Sequence, residues 1–346
     1  MDEQFTKEEI EKALNDPRRY SLDKRVKEKI QKNFEKSFKN ITKWALMYFV
    51  FIIFEIFLSL IRMENRFNKK IKNPRKILVI KLEHIGDVIL STPIYREIKR
   101  AFPKVWLEVM VASHIEDTLK NNPYIDNLIK LNPRFTNRSW ERYSFKKKIN
   151  LYINNLLLFL NIIFIKKPDI TISLRGDYEN VFVNYFTGAR IRIMHEKTPY
   201  GRFLITHKAE CDDNAHEIER NLKLLNELGI KPKSNETELF PEKKEIDYVN
   251  SFFKKNSIRE KDLIIGMHVG GSGKLKWWPI ERFITISDYL VKKYNAKLIL
   301  IGKGNDEEKQ ADKLLDKFKK NVYKSFDSSV LQKAVLIQRC NLLICN

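Results

Sequence analysis

Two blocks of short β-branched runs, each run followed by an apolar period of helical spacing, constrain this chain more than any other feature. In the first block Lys76–Ile80, Trp106–Val111, Asn127–Leu131 and Asp169–Ser173 read as strands. Ser91-Thr92-Pro93 opens a helix that runs through Phe102, with a cap and an early proline. Ile149–Ile165 is a helix on which Asn150, Asn154 and Asn161 make a polar stripe, and Ala215–Leu228 is a helix closed by Gly229. The polar stretch Lys231–Lys244, with Pro232 and Pro241, is expected to link the blocks. In the second block Leu263–Met267, Lys297–Ile301 and Leu342–Cys345 are strands, while Ile280–Tyr294, Asp306–Phe318 and Val330–Cys340 are helices. Continuous apolar strands alternating with helices need parallel sheets covered on both faces. An α/β chain with two Rossmann-like doubly wound domains is therefore expected, over 75–245 and 246–346, with a cleft between them.

Residues 1–74 follow a different rule. They read as a helical, basic extension around the apolar segment Trp44–Ile61, which holds one charge, Glu55. At 1.5 Å per residue this segment reaches about 27 Å, near the thickness of a bilayer's hydrocarbon layer. A spanning helix would have to bury Glu55. A buried core or partner-facing helix is the bland alternative. An interfacial helix uses every feature at once, with Trp44 and Tyr48 at headgroup depth and the flanking cations on anionic lipid. The net charge of +21, from 65 Lys+Arg against 44 Asp+Glu, is densest around this segment. That favours an anionic membrane surface over nucleic acid, for which no motif is present. Three scattered cysteines make no disulfide framework, and a reducing, cytoplasmic setting is expected, with attachment at the inner face of the cell membrane.

In open α/β sheets, ligands lie outside the carboxyl ends of the strands. The loop Lys81-Leu-Glu-His-Ile-Gly-Asp-Val88 follows the first strand. Gly86 allows close backbone approach, and Asp87 either caps the next helix or takes a proton from a hydroxyl nucleophile. The loop His268-Val-Gly-Gly-Ser-Gly-Lys-Leu-Lys-Trp-Trp-Pro279 follows a strand of the second block. Its amides at Gly271 and Ser272, with Lys274 and Lys276, suit a phosphate cradle; the bland alternative is a Gly-rich loop with solvated lysines. It is not a Walker A loop, because His268 stands where glycine is required and Leu275 where Ser or Thr would bind magnesium. Gly302–Glu308 can bring Asp306 or Glu307 to a ribose, although acidic residues also open helices for electrostatic reasons alone. No histidine pair has metal-ligand helical spacing and no D-x-D occurs, so no metal and no resident cofactor are expected.

These loops resemble glycosyltransferase family 9, the heptosyltransferases of lipopolysaccharide core assembly. The resemblance rests on Lys76–Pro93 with its Ile-Gly-Asp-Val element, on His216-Glu-Ile-Glu-Arg-Asn-Leu222, and on His268–Pro279 with its Lys-x-Trp-Pro element. It runs from about residue 75 to the last residue; Val269 stands where the family has proline. It implies two Rossmann-like domains in the GT-B arrangement and an inverting, metal-independent transfer. Asp87 would be the general base. The second domain would hold a nucleotide-diphosphate sugar such as ADP-heptose, with Gly86, Gly271 and Ser272 near the phosphates, Lys276 neutralising the leaving diphosphate, and Asp306 or Glu307 at the ribose. The acceptor would be a lipopolysaccharide core or another lipid-linked glycan. Family members continue past the strand matching Leu342–Asn346 into an Asp-Ser/Thr-Gly-x-x-His loop, so the donor domain is expected to be partial, as a fragment or a truncated product. A truncated, non-catalytic membrane-associated binding or scaffold protein is the alternative reading.

Overall fold

A computed structural model describes residues 73–131, 143–197, 201, 204–271, 276–318 and 320–346. The apolar segment 44–61, nearly all of its basic flanks, Ser272 and Lys274 lie outside the described residues. The first sheet contains β1 (Lys76–Lys81), β2 (Trp106–Ala112), β3 (Asn127–Leu131), β4 (Ile170–Ser173), β5 (Ile191–His195) and β6 (His207–Ala209). Its order is β3-β2-β1-β4-β5-β6, all parallel. The second contains β7 (Ile264–His268), β8 (Lys297–Ile301), β9 (Val322–Ser325) and β10 (Leu342–Cys345), in the parallel order β10-β7-β8-β9.

Both orders reverse direction once. The chain leaves β1 for β2 and β3, then returns to the other side of β1 as β4. It leaves β7 for β8 and β9, then returns beside β7 as β10. The connections flanking β1 and β7 therefore diverge at their carboxyl ends, and each reversal opens a crevice there. The expected fold class holds, with two parallel sheets of doubly wound type.

The reason is visible along β1, which is buried on both faces. Ile77 and Val79 meet α2 (Thr92–Ala101) and α5 (Glu217–Lys223) through Ile94, Ile98 and Leu222. Leu78 and Ile80 meet α3 (Phe145–Asn161) through Ile162 just beyond its end, and α4 (Tyr178–Phe186) through Val183. Such a strand cannot alternate apolar with polar. Between β1 and α2 lies the short α1 (Ile85–Ile89). In the second unit of core, α7 (Ile280–Tyr294) and α8 (Asn305–Lys317) cover one face through Phe283 and Leu314. The other face carries α6 (Lys243–Lys255) and α9 (Val330–Gln338), through Val249 and Leu336.

Several local expectations change. Ser91 does not cap α2 with its side chain: its hydroxyl donates back to the Val88 carbonyl at 2.7 Å and meets the Tyr95 hydroxyl at 2.7 Å. α3 starts earlier than read, with Ser144 accepting from the Lys147 amide, and runs into a π-helical turn over Ile162–Lys166. α5 is short and tightens into a 3-10 turn over Leu224–Leu228 before Gly229, whose φ of 70° ends it as expected. The stretch after Gly229 is held along α2. The Lys231 carbonyl accepts from Arg100, the Lys233 amide donates to Glu97, the Glu236 carbonyl accepts from Arg96 and the Glu238 amide donates to Thr92, all on α2.

Candidate functional site

β1 delivers two charged side chains into the protein at its carboxyl end. Lys81 is 1% exposed and Glu83 3%. The Lys81 Nζ lies 3.4 Å from Glu83 Oε2 and 3.2 Å from Glu217 Oε1 at the start of α5. Asn180, on α4, donates to Glu83 Oε1 at 3.1 Å and to Asp177 Oδ1 at 2.8 Å, and Arg175 pairs with Asp177. Burial pushes the Glu83 carboxyl above its ordinary value against the pull of Lys81 and Arg175. His195, at the end of β5, belongs to the same rim. Burial first, then the Arg220 guanidinium, lowers its pKa to about 4. The network fixes the turn that leads to α1.

That turn carries the first predicted pair. Asp87 is the third residue of α1 and half-buried, and its Oδ2 accepts from the His84 amide at 3.3 Å, closing a capping box. The capping role is therefore real, and it orients the carboxylate at the β1–β4 crevice. Gly86 is exposed, and a Cβ built there would meet nothing within 4 Å. The space in front of this backbone is open, as a ligand's approach requires.

The second site lies at the carboxyl edge of β7 and β8. Glu307, in the first turn of α8, is turned into this edge: its Oε2 accepts from the Lys303 amide at 3.0 Å and lies 3.5 Å from His268 Nε2. A Cβ on Gly270 would fall 2.2 Å from Glu307 Cγ, and one on Gly302 would fall 2.6 Å from the Phe326 ring. A side chain at either position would force Glu307 or Phe326 to move. The Gly271 carbonyl accepts from Trp277 Nε1 at 3.1 Å. Asn346 donates to the Gly270 carbonyl and accepts from the Trp278 amide, tying β10 to both ends of the Gly-rich loop. Lys276 and Asp306 are exposed beside this floor. Of the two acidic candidates, Glu307 is the one packed against the glycines.

The two edges share one electrostatic neighbourhood. His114, in the turn after β2, is held below its ordinary pKa by burial, then by His84 of the β1–α1 loop, then by Lys303 of the β8–α8 loop. A basic side chain from each sheet's loop edge thus acts on one imidazole. The fold brings Asp87 and Gly86 to one crevice and Gly271, Lys276 and Glu307 to the other.

Sequence reading missed the Lys81–Glu83–Glu217–Asn180 network, His195 and His114. Two signals were available: a charged residue directly ending a fully apolar strand, and a second acid, Glu217, in the His216–Leu222 motif.

The sequence pattern of glycosyltransferase family 9 (heptosyltransferase) matches residues 165–346. Lipooligosaccharide heptosyltransferase 2 of Haemophilus ducreyi is 24% identical over 246 residues, covering 67% of this chain and 64% of that protein. The chain thus spans slightly under two thirds of that relative's length. A family 9 glycosyltransferase structure from Veillonella parvula superposes with a TM-score of 0.67 at 22% identity, covering 82% of this chain and 77% of the other. The E. coli heptosyltransferase WaaC, solved with ADP-2-deoxy-2-fluoro heptose, gives a TM-score of 0.62 at 15% identity, with 78% and 82% covered. With the pattern spanning more than half of its residues, the chain belongs to glycosyltransferase family 9.

Proposed function

We propose that this protein transfers a heptose-like sugar from a nucleotide-diphosphate donor, ADP-heptose or a close analogue, to a lipopolysaccharide-core or other lipid-linked acceptor, with inversion and without a metal. The observation that carries the reading is the placement of the Asp87 turn and the Gly270–Glu307 floor at the reversal points of two parallel sheets. Asp87 takes the proton from the acceptor hydroxyl as that oxygen attacks the anomeric carbon. The bond from that carbon to the diphosphate oxygen breaks, and the nucleoside diphosphate leaves with the electron pair. Gly271 and Ser272 present amides to the phosphates, and Lys276 offsets the charge that builds on the leaving group. Glu307, with Asp306 beside it, faces the donor ribose. The segment 44–61 lies in the membrane interface at the cytoplasmic face, its basic flanks on anionic lipid, which keeps the enzyme beside a lipid-anchored acceptor.

The test is a radiolabelled-donor assay with Asp87→Asn alongside. Loss of the base is expected to lower kcat by about 10²- to 10⁴-fold with donor KM little changed. Turnover near that of the parent would remove Asp87 from the mechanism. ADP separates this reading from a non-catalytic scaffold: a donor site raises the thermal midpoint at saturating ADP, whereas a scaffold leaves it unmoved.

A further inference from the structure

α3 and its π-helical end form a single rod, Phe145–Lys166, of 22 residues, within which an 18-residue stretch has mean hydropathy 1.5. By length and composition alone this rod is long and apolar enough to cross a membrane. The fold forbids a crossing, because β3 before it and β4 after it belong to one parallel sheet. The rod is a crossover helix with an unusual surface. Only its last turns meet the sheet, where Leu158, Phe159 and Ile162 pack on Leu78, Ile80 and Met110. No side chain of Phe145–Asn161 is buried.

The remaining surface is not polar. Phe145, Ile149, Ile153, Leu156, Leu157 and Leu160 are exposed, with Leu156 at 59% and Leu157 at 57%. At 100° per residue these positions share one flank, opposite Leu158, Phe159 and Ile162, while Asn150, Asn154 and Asn161 lie between the two. Cations close both ends: Lys146, Lys147 and Lys148 in the first turn, and the exposed Lys167 just past the last, Lys166 being paired with the buried Glu108 at 2.6 Å. At 1.5 Å per residue the rod is about 33 Å long, against about 20 Å for a six-residue strand. A crossover helix runs antiparallel to the strands it joins, so the unburied amino-terminal part projects past their carboxyl ends, the edge that carries Asp87.

We infer that the outer flank of α3 is a second membrane-docking face, lying in the headgroup–acyl boundary of an anionic bilayer and turning the Asp87 edge towards the lipid. The occupant is lipid because an apolar stripe closed by lysines at both ends, on a chain of net charge +21, matches the layered chemistry of an anionic leaflet. The inference adds to the attachment through segment 44–61 proposed above and stands on different residues.

The experiment uses the full chain and vesicles of phosphatidylethanolamine with phosphatidylglycerol. Leu156→Glu/Leu157→Glu is expected to lower partitioning at least about tenfold, with circular dichroism and thermal midpoint retained. Leu156→Trp, which keeps the stripe apolar, is expected to add emission that brominated phosphatidylglycerol quenches. Parent-like binding by the double variant, or no quenching of the added emission, overturns the inference. A dimeric mass in solution that the double variant halves assigns the stripe to a second copy and also overturns it. Blue-shifted, unquenchable emission before lipid is added assigns the stripe to this chain's own segment and overturns the inference as well. Phe54→Glu separates the two attachments: loss confined to Phe54→Glu sinks the α3 inference and leaves segment 44–61 standing, while loss confined to the α3 variant does the reverse.

Discussion

Gly270 is where a single methyl group has most to disturb. Its added Cβ would sit 2.2 Å from Glu307 Cγ, so Gly270→Ala must drive the carboxylate away from Lys303 and His268. The expected outcome is a thermodynamic loss of about 1–3 kcal/mol, by analogy with overpacking, and weaker donor binding, read by urea unfolding and ADP titration. His195 gives a pH-dependent prediction. Its folded pKa of about 4 lies below the ordinary imidazole value of about 6.5. The unfolded chain therefore binds more protons between those values, and stability must fall as pH drops through that window. The contribution, on the order of 3 kcal/mol, is present above pH ~6.5. In His195→Gln the thermal midpoint should depend less steeply on pH over that window than in the parent. The turn that carries Gly86 and Asp87 was legible in sequence because a polar loop follows an apolar strand there. His195 and Glu83 were not, because their chemistry comes from burial, and burial is set by strands far apart in the chain.

At the scale of elements, the segment 231–244 joins the two cores, and Arg96, Glu97 and Arg100 of α2 hold it residue by residue. Glu97 is buried and accepts from Arg100 at 2.6 and 2.9 Å as well as from the Lys233 amide at 3.1 Å. Removing it in Glu97→Ala leaves those donors without their acceptor. The expected cost is about 2–3 kcal/mol by chemical denaturation, together with faster proteolysis within 231–242. The long apolar strands were readable from β-branched runs. The interior β5 was not, its run being broken by the half-buried Arg192, nor were the short edge strands β6, paired through three residues of β5, and β9, with its half-polar Tyr323 and Lys324. α6 was hidden in the same way: Glu242 and Glu245 form a capping box at the end of what read as linker.

At the scale of the molecule, excess positive charge and a close-packed floor make opposite demands on salt. Membrane partitioning should weaken steeply as ionic strength rises, because exposed lysines near anionic lipid are screened within a Debye length of about 10 Å at 0.1 M. The thermal shift produced by ADP should persist over the same range if fixed amides and a close-packed floor supply most of the recognition. Parallel vesicle flotation and thermal unfolding across a salt series would check both; equal sensitivity would mean that surface charge, rather than the Gly-rich loop, holds the nucleotide. Because a single carboxamide, that of Asn346, grips the carbonyl of Gly270 and the amide of Trp278, one side chain at the end of β10 fixes two backbone points eight residues apart. Asn346→Ala should therefore free both points at once and weaken ADP binding, read by titration, more than a change at either point alone.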